Sequence, residues 1–184
     1  VINSKDIWNE LTMEQISFGQ GLGVVPLSFV SAAAAVVNGG YLIEPTLYPR
    51  DKSYKTNAKL ITSDVSESMR YVRREVVKNG SGKKADVDGY NVIGKTGTAD
   101  KPCITGGYCG RMTSFIGAFP GNDPEYVVLV SLDNPKGKKD VRGSSAYWNA
   151  APAAGEIIKL IAPQLNIPIQ NNFSIFQEHA RADN

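Results

Sequence analysis

Two runs that favour extended backbone, Arg111–Phe119 and Tyr126–Leu132, are separated only by the six residues PGNDPE. Pro, Gly, Asn and Asp are turn formers. A link this short joins only antiparallel neighbours, because a parallel pair needs a crossover of a dozen or more residues. A third extended run precedes them at Gly89–Asp100, GYNVIGKTGTAD, where Tyr90, Val92 and Ile93 favour strand. The expected fold class is α/β (α+β): an antiparallel β-sheet flanked by helices. The run YVVLVSL is apolar on both sides of its alternation, so this strand is expected to be covered on both faces.

The helices follow from period and punctuation. Three glycines in SFGQGLGVVP lead to Pro26, which suits the first helical position because its missing N–H has no partner there in any case. From Leu27 to Val37 the residues are apolar or small almost all round, so this helix is expected to be buried. Asn38-Gly39-Gly40 ends it. A second helix is expected over Asp64–Lys78 with Thr62 or Ser63 as N-cap. Val65, Met69, Val72 and Val76 would form its inward stripe. Asp64 and Glu67 in the first turn and Lys78 in the last suit the helix dipole. A last helix is expected over 145–161, with Pro152 either kinking it or marking a later start. Residues 1–16 show no clear period; Trp8, Leu11 and Ile16 are their expected core contacts. Residues 41–61 read as a connector. The organisation expected is one domain over 1–163 and a tail over 164–184, the tail being either a strap or disordered.

Within the stretch 89–100 the bulk falls away at Gly94 and Gly97, and beside them stand one ammonium, Lys95, and two hydroxyls, Thr96 and Thr98. Glycine inside a strand marks a close approach of ligand or backbone. The combination reads as the wall of an anion-binding cleft.

Two pattern matches compete for this region. Gly89 to Thr96 fits the phosphate-loop pattern G-x-x-x-x-G-K-T, but that mechanism needs an apolar strand before the first glycine and a helix at the lysine. KKADVD before it and Gly97, Thr98 and Pro102 after it supply neither. Ser81-Gly-Lys-Lys84 fits S-x-x-K, yet a lysine that activates serine must sit one helical turn away in a dry pocket. Ser81 lies between glycines in a loop expected to be exposed.

Cys103 and Cys109, the two cysteines, have five residues between them, and the single histidine, His179, is far along the chain. A metal site is therefore not expected. The pair either closes a small disulfide in an oxidising compartment or stands as two free thiols. The net charge is +2 with charges interspersed, which gives no argument for nucleic acid. Arg70, Arg73, Arg74 and Lys78, and the lysines of 136–139, read as solvated faces. The longest apolar run, Ala32–Val37, has six residues, against the ~18 that a membrane span needs. Val1 is not an initiator methionine, so the chain is expected to belong to a longer or processed protein.

Lys95-Thr96-Gly97 followed by Thr98, on a strand of an antiparallel sheet, resembles the third motif of penicillin-binding proteins and serine β-lactamases. SFGQGLGVVPLSF, the helix ending NGG, EPTL, GSGKKADVDGYNVIGKTGTA, GRMTSFIGAFP and EYVVLVSLDNP follow in the order found in class B penicillin-binding proteins. The resemblance covers about residues 15 to 163 and is nearest to the septal, cell-division type of these D,D-transpeptidases. It implies that Lys95 adds positive field and that the Thr96 and Thr98 hydroxyls hold a carboxylate. That carboxylate belongs to a D-Ala-D-Ala peptidoglycan stem peptide or to a β-lactam antibiotic. The backbone N–H of Thr98 is implied as an oxyanion-hole donor, and Gly97 as the place where substrate lies along the strand edge. No cofactor is implied. The implied partners are the N-terminal remainder of the same protein and divisome proteins. The implied location is the periplasmic face of the bacterial inner membrane, reached only through an N-terminal anchor outside these residues.

The chain departs from that family pattern in one large respect. It contains no S-x-N, and its one S-x-x-K is the loop match at Ser81. The 184 residues are thus expected to carry one wall of the site without the nucleophile and to be inactive alone. They are also expected to need the remainder of the protein, or a swapped or oligomeric assembly, for stability. Two other readings compete: a penicilloyl-binding regulatory module without chemistry, and a nucleotide-binding protein using the accidental phosphate loop.

Overall fold

A computed structural model describes residues 10–20, 22–50, 58–103, 105–136, 145–170 and 172–174. Helix α1, Glu10–Ser17, was not foreseen. Its Ile16 is only half-buried, and Trp8 and the Leu11 side chain lie outside the described residues. Helix α2, Pro26–Val37, starts as its proline predicts, with Val25 extended ahead of it. It ends at Asn38, whose N–H returns to Ala34 O, before Gly39 and Gly40 turn the chain at φ +90° and +99°. Across the connector, Tyr41 and Lys59 form an antiparallel bridge.

Helix α3, Ser63–Asn79, is capped by Thr62, whose hydroxyl accepts from Val65 N–H at 3.4 Å. Its inward face is not the expected valine stripe. Val65 and Val72 are about half exposed, while Ser66 and Val77 are fully buried. The arginines explain the rotation. Arg70 donates to Asn122 O at 2.8 Å, and Arg74 donates to Val92 O and Asp86. Satisfying sheet-end carbonyls with these guanidiniums draws a polar face inward, so Arg70, Arg73 and Arg74 are not the solvated face expected. Burial pushes the Arg73 guanidinium below its ordinary value. At the other end Ser66 Oγ donates to Val36 O at 2.9 Å and accepts from Gly39 N–H at 3.0 Å, which pins α3 to the end of α2.

Among the described residues the sheet is three-stranded and antiparallel in the order β1 (Ile93–Pro102), β2 (Tyr108–Phe119), β3 (Tyr126–Asp133). β1 starts three residues after Tyr90, because Gly89 at φ +84° and Asn91 at φ +46° make a turn first. Helix α4, Ala150–Ile161, lies over one face, and α2 and α3 over the other. The 3₁₀ turn Ala146–Trp148 precedes α4, which begins at Ala150 with Pro152 inside its first turn and Asn149 capping Ala150 N–H at 2.6 Å. The main core, on the α4 side, joins Phe115, Phe119 and Val92 to Ala151, Ala154 and Ile158. Val37, Ile93 and Ala118 form a smaller core under α2.

β3 does meet both layers, Val127 on one side and Val128, Val130 and Leu132 on the other. These residues are nonetheless only half-buried, short of the full coverage expected. Their strand is an edge of the described sheet, so its outer flank has no neighbour there. The described residues that follow α4 fold back on the sheet and its loops. Ile167 is buried, Gln170 N–H donates to Gly89 O at 2.7 Å, and Asn122 holds Asn172 O at 2.8 Å. The basic loop beyond Lys136 lies outside the described residues.

Candidate active site

Lys95, Thr96, Gly97 and Thr98 sit mid-strand in β1, opposite Ile116, Phe115, Ser114 and Thr113 of β2. β1 is the other edge of the sheet, so among the described residues only one of its flanks is paired. Side chains alternate along a strand. Lys95 and Gly97 therefore point to the α2–α3 face, and Thr96 and Thr98 to the α4 face. A ligand that meets all four must lie along the open edge.

Each member has a definite environment. Lys95 is exposed, and its Nζ donates to Thr96 O at 2.7 Å; among the described residues no carboxylate pairs with it. Thr96 Oγ1 is 2.6 Å from Ser81 Oγ. Thr98 Oγ1 accepts from Ala146 N–H at 3.2 Å. An acceptor role leaves the hydroxyl proton of Thr98 available, and hydrogen bonds in series strengthen one another. The strand is thus backed at two points by groups from outside the sheet.

The two glycines have different reasons to be glycine. A Cβ on Gly94 would run into the Phe115 ring and stand 2.8 Å from Ile116 O. Gly117, its partner across the ladder, faces the same ring. Gly94 is therefore a packing position, not the ligand approach expected of it. A Cβ on Gly97 would meet only the Ser114 hydroxyl, at 2.7 Å.

β1 runs on unbroken to Pro102, so no helix follows the lysine as a phosphate loop requires. Ser81 is exposed, and Lys84 does not face it. Lys84 Nζ stands 3.7 Å from the Trp148 ring centroid and 4.9 Å from that of Tyr147. Ser81 and Ala146 are the site contacts that sequence reasoning missed. The S-x-x-K match singles out Ser81 only for a nucleophile chemistry that its exposed loop does not support; its contact is with Thr96 Oγ1.

Beyond the motif, Arg111 Nε meets Asp100 Oδ1 at 2.9 Å, and Gln20 Nε2 donates to Asp100 O at 3.0 Å. Lys101 pairs with Asp133 at 2.5 and 2.7 Å. Cys103 and Cys109 form a disulfide across the β1–β2 connection, Cα atoms 5.4 Å apart. Among the described residues no group of three or more His, Cys, Asp or Glu side chains could hold a metal ion, and no helix is long and apolar enough to cross a membrane.

Residues 2–159 match the family model described as penicillin binding protein transpeptidase domain. Over 169 residues the chain is 38% identical to stage V sporulation protein D of Bacillus subtilis, an overlap of 85% of this chain and 25% of that protein. Over 172 residues it is 37% identical to the probable peptidoglycan D,D-transpeptidase FtsI of Caulobacter vibrioides, covering 87% of this chain and 29% of that one. The crystal structure of penicillin-binding protein 3 of Mycobacterium tuberculosis in complex with aztreonam superposes with a TM-score of 0.73 at 26% identity, over 91% of this chain and 41% of that chain. The chain thus spans 25–29% of the length of these curated relatives.

Proposed function

The chain belongs to the penicillin-binding protein transpeptidase domain family, and from that premise we propose that it supplies one wall of the site of a septal-type peptidoglycan D,D-transpeptidase. In this reading residues 1–163 are the C-terminal part of the transpeptidase domain and 164–184 a tail. A serine from outside the 184 residues attacks the carbonyl of the penultimate D-Ala of a stem peptide, the terminal D-Ala leaves, and an amine of a second stem peptide takes the acyl group. A β-lactam acylates the same serine and is not readily released.

One observation carries the reading: a Lys-Thr-Gly-Thr segment runs along an open strand edge with a Thr98 hydroxyl proton left to donate. An extended substrate adds to such an edge as a further strand. Its carboxylate meets the Thr96 and Thr98 hydroxyls in the field of Lys95. The Thr98 N–H serves the oxyanion, a kind of donor whose loss costs about 2.7–4 kcal/mol of barrier. A second feature agrees with a partial domain. Phe18, Val24, Val25 and Leu27, around the start of α2, are each more than half exposed, an apolar surface for the remainder of the protein to cover. It also corrects the burial expected of α2, in which only Ala35 and Val37 are buried. The full-length protein is assigned to the periplasmic face of the inner membrane, with divisome proteins as its partners.

The test is acylation by a fluorescent penicillin. The full-length protein is expected to label covalently, and these 184 residues alone are not. Lys95→Ala in the full-length protein should slow acylation about ten- to a hundredfold, the worth of one charge-assisted hydrogen bond. Absence of labelling in the full-length protein, or an unchanged rate in Lys95→Ala, would overturn the reading.

A further inference from the structure

Lys84 takes no direct part in the motif, yet three contacts link it to Thr98. Its Nζ lies 3.7 Å from the Trp148 ring centroid and 4.9 Å from that of Tyr147. Those two rings pack edge to face, centroids 4.8 Å apart at 88°. They belong to the 3₁₀ turn Ala146–Trp148, whose first residue donates its N–H to Thr98 Oγ1 at 3.2 Å. The base of Lys84 is fixed as well. Gly155 of α4 comes so close that an added Cβ would stand 3.0 Å from Lys84 O and 3.2 Å from Ala85 Cα. Ala85 and Ala146 are both buried in the main core. The same short loop carries Ser81, whose hydroxyl holds Thr96 at 2.6 Å. Loop 81–85 is therefore a brace that reaches both motif hydroxyls, one directly and one through the aromatic turn.

We infer that Lys84 is a positioning residue: its ammonium clamps the Tyr147–Trp148 turn, and the turn holds the Thr98 hydroxyl with its proton directed toward a ligand carboxylate. This inference rests on the transpeptidase reading above. An ammonium over an indole face is attracted by the ring quadrupole. Its loss loosens the turn without removing any group that touches substrate. The effect falls on carboxylate recognition, because it is the acceptor contact of Thr98 that the turn supplies.

The test compares a penicillin with its methyl ester as acylating agents of the full-length protein. The ester keeps the reactive ring and lacks the carboxylate. Lys84→Met should slow acylation by the free acid about two- to fivefold, the rate equivalent of an exposed cation–π contact, and leave the ester rate unchanged. Lys84→Arg keeps a cation over the rings and should restore the wild-type ratio of acid to ester. Trp148→Leu removes the ring and leaves the lysine, and should reproduce the Lys84→Met ratio. Equal slowing of acid and ester, no slowing in either variant, or an Arg variant that behaves like Met overturns the clamp. Those results stand apart from failure of the transpeptidase reading, which shows instead as an unlabelled wild-type protein or an unaffected Lys95→Ala.

Discussion

Arg74 and Asp86 form a two-pronged ion pair, Nη1 to Oδ1 at 2.6 Å and Nη2 to Oδ2 at 3.1 Å, and Arg74 Nη1 also donates to Val92 O at 2.8 Å. One guanidinium thereby joins α3, the loop after it and the residue that leads into β1. The side chains are only 12% and 29% exposed, so solvent screens the pair weakly.

Removing Arg74 leaves Asp86 with its Val87 N–H at 3.1 Å but without the cation, and takes the guanidinium donor from Val92 O, which costs more than the pair itself contributes. Arg74→Ala should destabilise the protein by about 1–3 kcal/mol, read as a shift in the midpoint of denaturant unfolding of the full-length protein. A loss below about 1 kcal/mol would mean that the pair behaves as an ordinary surface bridge.

This part of the fold was the least legible beforehand. A row of arginines on a helix looks solvated, because the carbonyls that recruit them, Val92 O and Asn122 O, lie 18 and 52 residues away. Local chemistry was easier to read. The hairpin between β2 and β3, the proline start of α2 and the threonine cap of α3 each depend on a few neighbouring residues. The site divides in the same way. That Lys95, Thr96, Gly97 and Thr98 lie on a strand could be read from the extended run that contains them, and their roles only from the family resemblance. Ser81 on Thr96 and Ala146 on Thr98 could not, since those contacts appear only when the loop and the turn are folded against the strand. The half-coverage of β3 depends on its place at the sheet edge, which its own apolar run does not encode.

The two glycines of the motif strand give a second prediction. At Gly94 an added methyl meets a buried ring and a carbonyl oxygen, neither of which can move without disturbing the core. Gly94→Ala should cost about 1–3 kcal/mol of stability through overpacking. At Gly97 the methyl meets only a serine hydroxyl, which can rotate away. Gly97→Ala should therefore unfold within about 0.5 kcal/mol of wild type, yet, in the proposed reading, acylate more slowly because the methyl crowds the strand along whose edge substrate is proposed to lie. Unfolding midpoints and acylation rates on the same two variants decide it. A stable, slow Gly94→Ala beside an unstable, fast Gly97→Ala would reverse the assignment.

Thr98 offers the sharpest separation of side chain from backbone. Thr98→Val keeps the shape, the strand propensity and the backbone N–H, and removes the hydroxyl that accepts from Ala146 N–H. In the proposed reading the oxyanion donor is preserved, and the lost interactions are the one to the carboxylate and the one from Ala146 N–H. Acylation by a free-acid penicillin should fall about ten- to a hundredfold, as for one hydrogen bond to a charged group. Acylation by the methyl ester should change little. Thr98→Ser restores the hydroxyl and should recover most of the free-acid rate. Equal loss with acid and ester in Thr98→Val would assign Thr98 to the architecture of β1 and leave carboxylate binding to Lys95 and Thr96.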